Sequence, residues 1–342
     1  MEIILRTYEL LESMCNNILG GKQIMIYKIG IIGTGIMGKN HVRVLKNMSD
    51  KFNIIGIFDE NVDNAKNTAA TYNVKYVENI DELLSQVDSV VIATPSSTHK
   101  EISLKCISQG INLLIEKPLA LTVEDGDEIN EATKVKEITC MVGHIERFNP
   151  VTVELDKILG SEEILSIDVH RLSPFDARIF DTNVALDLMI HDIDLLSNFI
   201  KDDLLDIKSE GISVYSNTFD YVQTLIKYRS EKLASLTASR ITEDKKRTVE
   251  INTKNAYIVA DYLNRTITIT RKTKFTLDVG YATKYKQENI QEKVFVPMKE
   301  PLFAELEHFY ECISTKTVPK TSIFNSLNVL KICKKIVDKI GR

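Results

Sequence analysis

The sequence predicts an α/β protein of two parts. The first is a doubly wound parallel sheet with helices on both faces. The second is an α+β domain with a large, mostly antiparallel open sheet. Three observations carry this expectation. Short apolar runs alternate with helical segments from Tyr27 to Val142, and such alternation folds as a parallel sheet with crossover helices. Strand patterns dominate from Leu205 to about Val296, which reads as an open antiparallel sheet. The chain has 342 residues, too many for one ordinary core and suited to two domains.

In chain order, Tyr27–Ile32 reads as a strand and Asn40–Asn47 as a helix. Phe52–Phe58 is a strand and Val62–Tyr72 a helix. A short strand is expected near Val74–Tyr76, then a helix at Asp81–Gln86. Ser89–Ala93 is a strand, His99–Gln109 a helix and Asn112–Ile115 a strand. Thr122-Val-Glu-Asp125 looks like a capping box opening the next helix, and Ile138–Val142 is the sixth strand. Beyond Gly143 the character changes. Val151–Leu159 is helical, Glu163–Arg171 a strand and Val184–Ile200 a long, mostly apolar helix. Tyr221–Tyr228, Leu233–Arg240, Thr248–Thr253, Tyr257–Asp261 and Thr266–Thr270 follow as strands. Helices at Pro301–Ser314 and Ser322–Ile340 finish the chain, the last packing back on the first domain. The expected division is 1–24 as an N-terminal extension, 25–145 as the nucleotide domain and 146–342 as the substrate and oligomerisation domain.

Residues 1–24 carry Glu2, Glu9 and Glu12, and their apolar stretches are too short for a secretory signal. They read either as a short amphipathic helix or as an extension from an upstream start codon, with Met25 favoured as the native start. Gly20-Gly21-Lys22 before Met25 could arise from purine-rich codons that mimic a ribosome-binding site.

Composition excludes several classes of function. Hydrophobic residues at 44% and charged residues at 27% fit a globular protein in water. A net charge of −5 gives no broad basic field for nucleic acid or anionic lipid, so any anionic ligand needs a few local cations. No apolar run approaches the roughly 20 residues of a membrane span. Cys15, Cys106, Cys140, Cys312 and Cys333 are scattered without a C-x-x-C pair. They read as reduced thiols of a cytoplasmic protein, with neither a disulfide frame nor a metal site indicated.

Gly33-Thr-Gly35-Ile36-Met37-Gly38 directly follows the first strand and opens a helix. In that context G-x-G-x-x-G is a dinucleotide fingerprint of the Rossmann type. Gly33 permits the tight turn, Gly35 lets the backbone approach a pyrophosphate, and Gly38 lets helix and strand pack closely. Ile36 and Met37 stand in the same turn, at the helix N-terminus that faces the phosphates. The second strand ends at Asp59, placed to accept hydrogen bonds from the adenosine ribose and to repel a 2′-phosphate. The cofactor expected is therefore NAD rather than NADP. The alternative is that Asp59 only caps the next helix. Thr94 and Pro95 at the fourth strand's carboxyl end would lie near the cofactor, and His99 in the following helix is either a cofactor neighbour or a solvated side chain.

Two further features carry chemistry. The fifth strand ends Glu116-Lys117-Pro118, where a lysine can reach both the nicotinamide ribose and a substrate hydroxyl, or simply sit at the surface. Asp187, His191, Asp194 and Asn198 recur at steps of four, three and four, so they share one helix face. Burying such a face without partners is costly, so it reads as the wall of a cleft, against the alternative of a solvated stripe.

With these motifs the sequence resembles the Gfo/Idh/MocA oxidoreductases from Tyr27 onward. The resemblance rests on the glycine fingerprint, Glu116-Lys117-Pro118, and Asp187-x-x-x-His191. It implies NAD as cofactor, Lys117, Asp187 and His191 as the catalytic group, and Glu116 and Lys117 beside the nicotinamide. It also implies a homodimer or homotetramer formed through the open sheet face. Gly143-His-Ile-Glu-Arg147-Phe-Asn149-Pro150 and Arg171-Leu-Ser-Pro-Phe-Asp-Ala-Arg178, followed by Asp181, resemble the subgroup acting on UDP-linked N-acetylsugars. The implied reaction is oxidation of a secondary hydroxyl, at C3, of a UDP-N-acetylhexosamine. His191 would take the hydroxyl proton, Lys117 would hold the developing alkoxide, and Asp187 would orient or tune the group. Arg147, Asn149, Arg171 and Arg178 would serve the substrate, the arginines as forks for the diphosphate, although each arginine could equally form a structural ion pair. A free sugar or inositol dehydrogenase, a glycosidase using NAD transiently, and a non-catalytic NAD-binding regulator are the alternatives.

Overall fold

The structure is a computed structural model and describes residues 25–176, 182–279 and 282–340, without the side chains of 272–288. Arg178, Asp181 and residues 1–24 lie outside the described residues.

The apolar run at β1 (Tyr27–Ile32) is buried from Ile29 onward on both faces, the position of a central parallel strand. It is flanked by β2 (Phe52–Phe58) and β3 (Ser89–Ile92), with β4 (Asn112–Glu116) and β5 (Cys140–Gly143) beyond, in the parallel order β2-β1-β3-β4-β5. Helices α1 (Ile36–Lys46), α2 (Val62–Tyr72), α3 (Ile80–Leu84), α4 (His99–Ser108) and α5 (Val123–Lys134) connect the strands. Thr122 caps α5, its hydroxyl accepting from the Asp125 N–H.

Two elements of this first part differ from expectation. The strand foreseen at Val74–Tyr76 is a single bridge, Ile57 to Tyr76. Ile57 N–H donates to Lys75 and Val77 N–H to Ile57, after which α3 turns the chain away. The sheet therefore has five strands, not six. The first helix also begins at Ile36 rather than Asn40, because Gly38 and Lys39 continue the turn that starts at Gly35.

The second part opens with a short 3₁₀ turn (Ile145–Phe148), α6 (Pro150–Leu159) and β6 (Ile164–Leu172). A π-helical turn (Ala185–Met189) leads into α7 (Ile190–Phe199). Seven strands follow: β7 (Leu204–Ile212), β8 (Tyr221–Tyr228), β9 (Leu233–Ser239), β10 (Lys246–Thr253), β11 (Ala256–Asp261), β12 (Thr266–Val279) and β13 (Ala282–Val294). Their order is β13-β12-β11-β10-β6-β9-β8-β7, antiparallel except for the β6–β9 pair. Period-two alternation gives the sheet one buried face, with Ile167, Val169, Ile226 and Ile258, and one open face that exposes Leu225 and Tyr257. Among the described residues, no helix is long and apolar enough to cross a membrane.

The last two helices, α8 (Pro301–Thr315) and α9 (Ile323–Lys339), return to the nucleotide domain. Leu302, Leu306 and Phe309 of α8 join Ile29, Ile31, Val91 and Leu114 in one core, where Phe309 stacks on Phe52. Leu327 and Leu330 of α9 join Val90, Ile92, Leu113 and Val142 in the core on the other face of the parallel sheet. Val329, Cys333 and Ile336 of the same helix face the core of the large sheet.

Candidate active site

The carboxyl ends of the parallel strands open on a cleft of about 770 Å³. Strand order fixes its sequence of residues: Asp59 after β2, the glycine turn after β1, Thr94 and Pro95 after β3, and Glu116 and Lys117 at the end of β4. Gly33, Gly35, Ile36 and Met37 line it as well.

The glycines divide the work as their spacing predicts. Gly33 has φ +93°, and a Cβ there would stand 2.4 Å from the Ala93 carbonyl oxygen. A Cβ on Gly38 would stand 2.0 Å from the Gly33 carbonyl oxygen, so Gly38 serves helix packing and does not line the cleft. Gly35 differs, because a Cβ on it would meet no atom within 4 Å. The described chain itself does not demand glycine there; the open space fits a pyrophosphate lying against that backbone. No side chain caps α1 and its first turn holds no acidic residue, so its free N–H groups face the cleft as an anion site. These features fit NAD.

Asp59 is held in place. The backbone N–H and the hydroxyl of Thr34 donate to its Oδ2 at 2.6 and 2.7 Å, and the Asn61 N–H donates to Oδ1 at 2.8 Å. Asn61 itself, rather than Asp59, caps α2 by accepting from Asn64 N–H. His99 is not solvated and does not line the cleft. It is buried, with Nδ1 2.9 Å from the Pro118 carbonyl oxygen and Nε2 3.1 Å from that of Thr94. It therefore ties the ends of β3 and β4 together from behind the cleft. Burial outweighs these carbonyls and lowers its pKa. Glu116 accepts from His41 Nε2 on α1 at 2.7 Å, which braces the strand end against the dinucleotide helix.

At the far end of the cleft Lys117 meets the second domain. Its Nζ donates to the Asp187 backbone carbonyl and to Asp187 Oδ1, and the Lys117–Pro118 peptide is cis. Asp187 sits in the π-helical turn, a widening that recurs at functional sites, and His191 lies in the first turn of α7. His191 is partly exposed, although its Nδ1 is buried. Crowding by the protein, followed by the charges of Lys117 and Arg171, holds the imidazole well below its usual pKa. It is therefore neutral at pH 7, the state a proton acceptor needs.

The remaining expected substrate residues are spent elsewhere. Arg171 is buried, with Nε 2.8 Å from Asp192 Oδ1 and Nη1 3.0 Å from Glu146 Oε1. Burial opposes its charge, but Asp192 and Glu146 more than offset this and raise its pKa. It is a structural ion pair and has no fork left for a diphosphate. Arg147 pairs with buried Asp194 at 3.0 Å. Asn149 caps α6 by accepting from Val151 N–H and donates to Glu146 Oε2. The polar stripe expected to line the cleft is also divided. Asp187 and His191 face Lys117, whereas Asp194 holds Arg147 and Asn198 bonds Asp156.

Sequence reading missed Arg247. It lies opposite Arg171 in the β10–β6 register, hence on the same face of the sheet, and its Nη1 is 3.7 Å from Glu146. Its side chain is 39% exposed, unlike that of Arg171. The strand was expected to begin at Thr248, which left Arg247 outside the alternation that would have revealed it.

Comparison with known proteins agrees with this geometry. Residues 27–144 match the model of the Gfo/Idh/MocA oxidoreductase family, NAD-binding Rossmann fold. The chain is 29% identical over 287 residues to the UDP-N-acetylglucosamine 3-dehydrogenase of Acidithiobacillus ferrooxidans, covering 84% of this chain and 88% of that one. A solved structure of that enzyme superposes with a TM-score of 0.84 at 26% identity, covering 92% of this chain and 98% of that one. The scyllo-inositol 2-dehydrogenase (NAD(+)) of Bacillus subtilis is 22% identical over 324 residues, covering 88% of this chain and 91% of that one. The chain is an NAD-dependent oxidoreductase, similar over residues 27–144 to the Gfo/Idh/MocA family.

Proposed function

We propose that the protein oxidises a secondary hydroxyl, at C3, of a UDP-N-acetylhexosamine to the 3-keto nucleotide sugar. The similarity to a UDP-N-acetylglucosamine 3-dehydrogenase over almost its whole length is the observation that supports this choice. Bound NAD supplies the hydride acceptor. Lys117, fixed between the cleft and Asp187, holds the substrate oxygen and stabilises the charge that develops on it. His191, kept neutral, takes the hydroxyl proton. Asp187 orients Lys117 through its carbonyl and its carboxylate.

With Arg147 and Arg171 paired, Arg247 is the described cation on this face best able to meet a substrate anion. The same pairing favours a second reading, oxidation of an uncharged sugar or cyclitol, which needs no diphosphate site; the inositol relative supports it. NADH formation with UDP-N-acetylglucosamine, UDP-N-acetylgalactosamine, free N-acetylglucosamine and inositol separates the two. Turnover of the free compounds at a kcat/KM equal to that of the nucleotide sugars would replace the first reading by the second. The open sheet face, with Leu225 and Tyr257 exposed, is proposed as the surface joining copies of the chain. Leu225→Lys should then lower the mass measured by light scattering.

A further inference from the structure

Thr34 stands between two cleft-lining glycines and does not line the cleft itself. Its side chain turns inward and is 0% exposed, so its hydroxyl answers to the protein and not to a ligand. That hydroxyl donates to Asp59 Oδ2 at 2.7 Å, beside the residue's own backbone N–H at 2.6 Å. Asp59 in turn lines the cleft at the end of β2.

We propose that Thr34 is a specificity-determining positioning residue, whose buried hydroxyl aims the Asp59 carboxylate at the 2′ position of the adenosine ribose and thereby sets the preference for NAD over NADP.

Selection by Asp59 depends on direction as well as charge. A carboxylate facing the 2′ position accepts from a ribose hydroxyl and repels a phosphate; one free to turn away does neither well. Three hydrogen bonds fix it: two from Thr34 to one oxygen, and one from Asn61 N–H to the other. Of these, only the Thr34 hydroxyl comes from a side chain, so it is the bond that a substitution can delete cleanly. The turn itself has an independent anchor, Gly33 N–H to the Phe58 carbonyl oxygen at 2.8 Å. Lys105, which lines the same cleft, is paired with Asp81 at 2.6 Å.

The test is calorimetric titration of the full chain with NADH and with NADPH. Thr34→Val keeps the side-chain shape and removes the hydroxyl. NADH should bind about tenfold more weakly, the scale of one hydrogen bond to a charged group, while NADPH binds unchanged or more tightly. The ratio of the two affinities should therefore narrow by about tenfold, and Thr34→Ser, which restores the hydroxyl, should restore the ratio. A merely structural role predicts the same loss for both cofactors. Equal losses, an unmoved ratio or a widened one would overturn the proposal. Should Thr34→Val fail to fold, Thr34→Ala is measured and read in the same way.

Discussion

Lys117 touches Asp187 twice, its Nζ lying 2.8 Å from the aspartate's backbone carbonyl oxygen and 3.1 Å from its carboxylate. The shorter contact belongs to the backbone and does not depend on the side chain at position 187. Strand end and helix start, from different domains, are thus joined at one ammonium group.

That double contact sorts the effects of substitution. Lys117→Ala and His191→Asn should each lower kcat by about a hundredfold or more, the usual scale for a positioned acid–base group. NADH affinity should change little, because Asp59 and the glycine turn are untouched. Asp187→Asn should cost less than Lys117→Ala, since the carbonyl still holds the lysine. Steady-state kinetics with calorimetric NADH binding checks all three; a larger loss in Asp187→Asn than in Lys117→Ala would assign the carboxylate a direct part in the reaction.

The pH profile follows from His191. Its neutral form is the acceptor, and its pKa in the folded protein lies well below 6.5. It therefore loses function only when pH falls through that depressed value. The plot of kcat/KM should be flat on its acid side down to below pH 6. In Lys117→Met one of the charges that depress the pKa is gone, so the acid limb of the residual activity should move up in pH. An acid limb at or above 6.5 in the natural protein would contradict the assignment.

Arg171→Met should act on stability. It leaves Glu146 and Asp192 buried beside a neutral side chain, and breaking such a pair costs roughly 3–5 kcal/mol. Thermal unfolding should fall by many degrees, at about 2–4 °C per kcal/mol for domains of this size. Arg247→Met should instead raise KM for an anionic substrate with little change in melting temperature. The reverse pattern would restore Arg171 as a substrate residue.

Glu305 on α8 predicts a pH-dependent gain. It is fully buried, neither of its oxygens has a hydrogen-bond partner among the described residues, and burial, helped by the charge of Glu116, raises its pKa well above 4.5. The folded protein keeps a proton that the unfolded chain releases above pH 4.5, so this group's contribution to stability falls as pH rises from there toward the raised value. Glu305→Gln removes that dependence. Its free energy of unfolding should match the natural protein's near pH 4.5 and exceed it increasingly toward pH 8, by about 1.4 kcal/mol per pH unit until the raised pKa is reached. A difference independent of pH would show that Glu305 is ionised in the fold.

The cofactor half of the cleft was legible in the sequence because short-range rules dictate it. Gly33, Gly35 and Asp59 occupy fixed offsets from two strands, and the strand order then brings Thr94 and Lys117 into line. Asp187 and His191 were legible as a helical pair, although the rest of their stripe was not. A heptad-like spacing cannot tell that Asp194 will meet Arg147 from another element, or that a π-helical turn interrupts the helix. The choice between fork and ion pair at Arg147 and Arg171 stayed open in the sequence for the same reason. Arg171 is a diphosphate fork or a buried ion pair according to what stands across the sheet, and Glu146 and Asp192 stand there only after folding. The edge bridge at Tyr76 was overread as a strand because apolar alternation over three residues does not reveal how many partners a sheet edge will offer.

One helix seals two cores: Leu327 and Leu330 of α9 close the nucleotide domain, while Val329 and Ile336 close the other. For a chain made from its amino end, that arrangement sets a schedule. The β1–β5 region is synthesised first, yet one face of its sheet stays unsealed until residues near 330 have left the ribosome. Until then that core lacks Leu327 and Leu330, and the helix that supplies them is also packed on the large sheet. NAD added during synthesis should therefore protect nascent chains from proteolysis only once α9 has emerged.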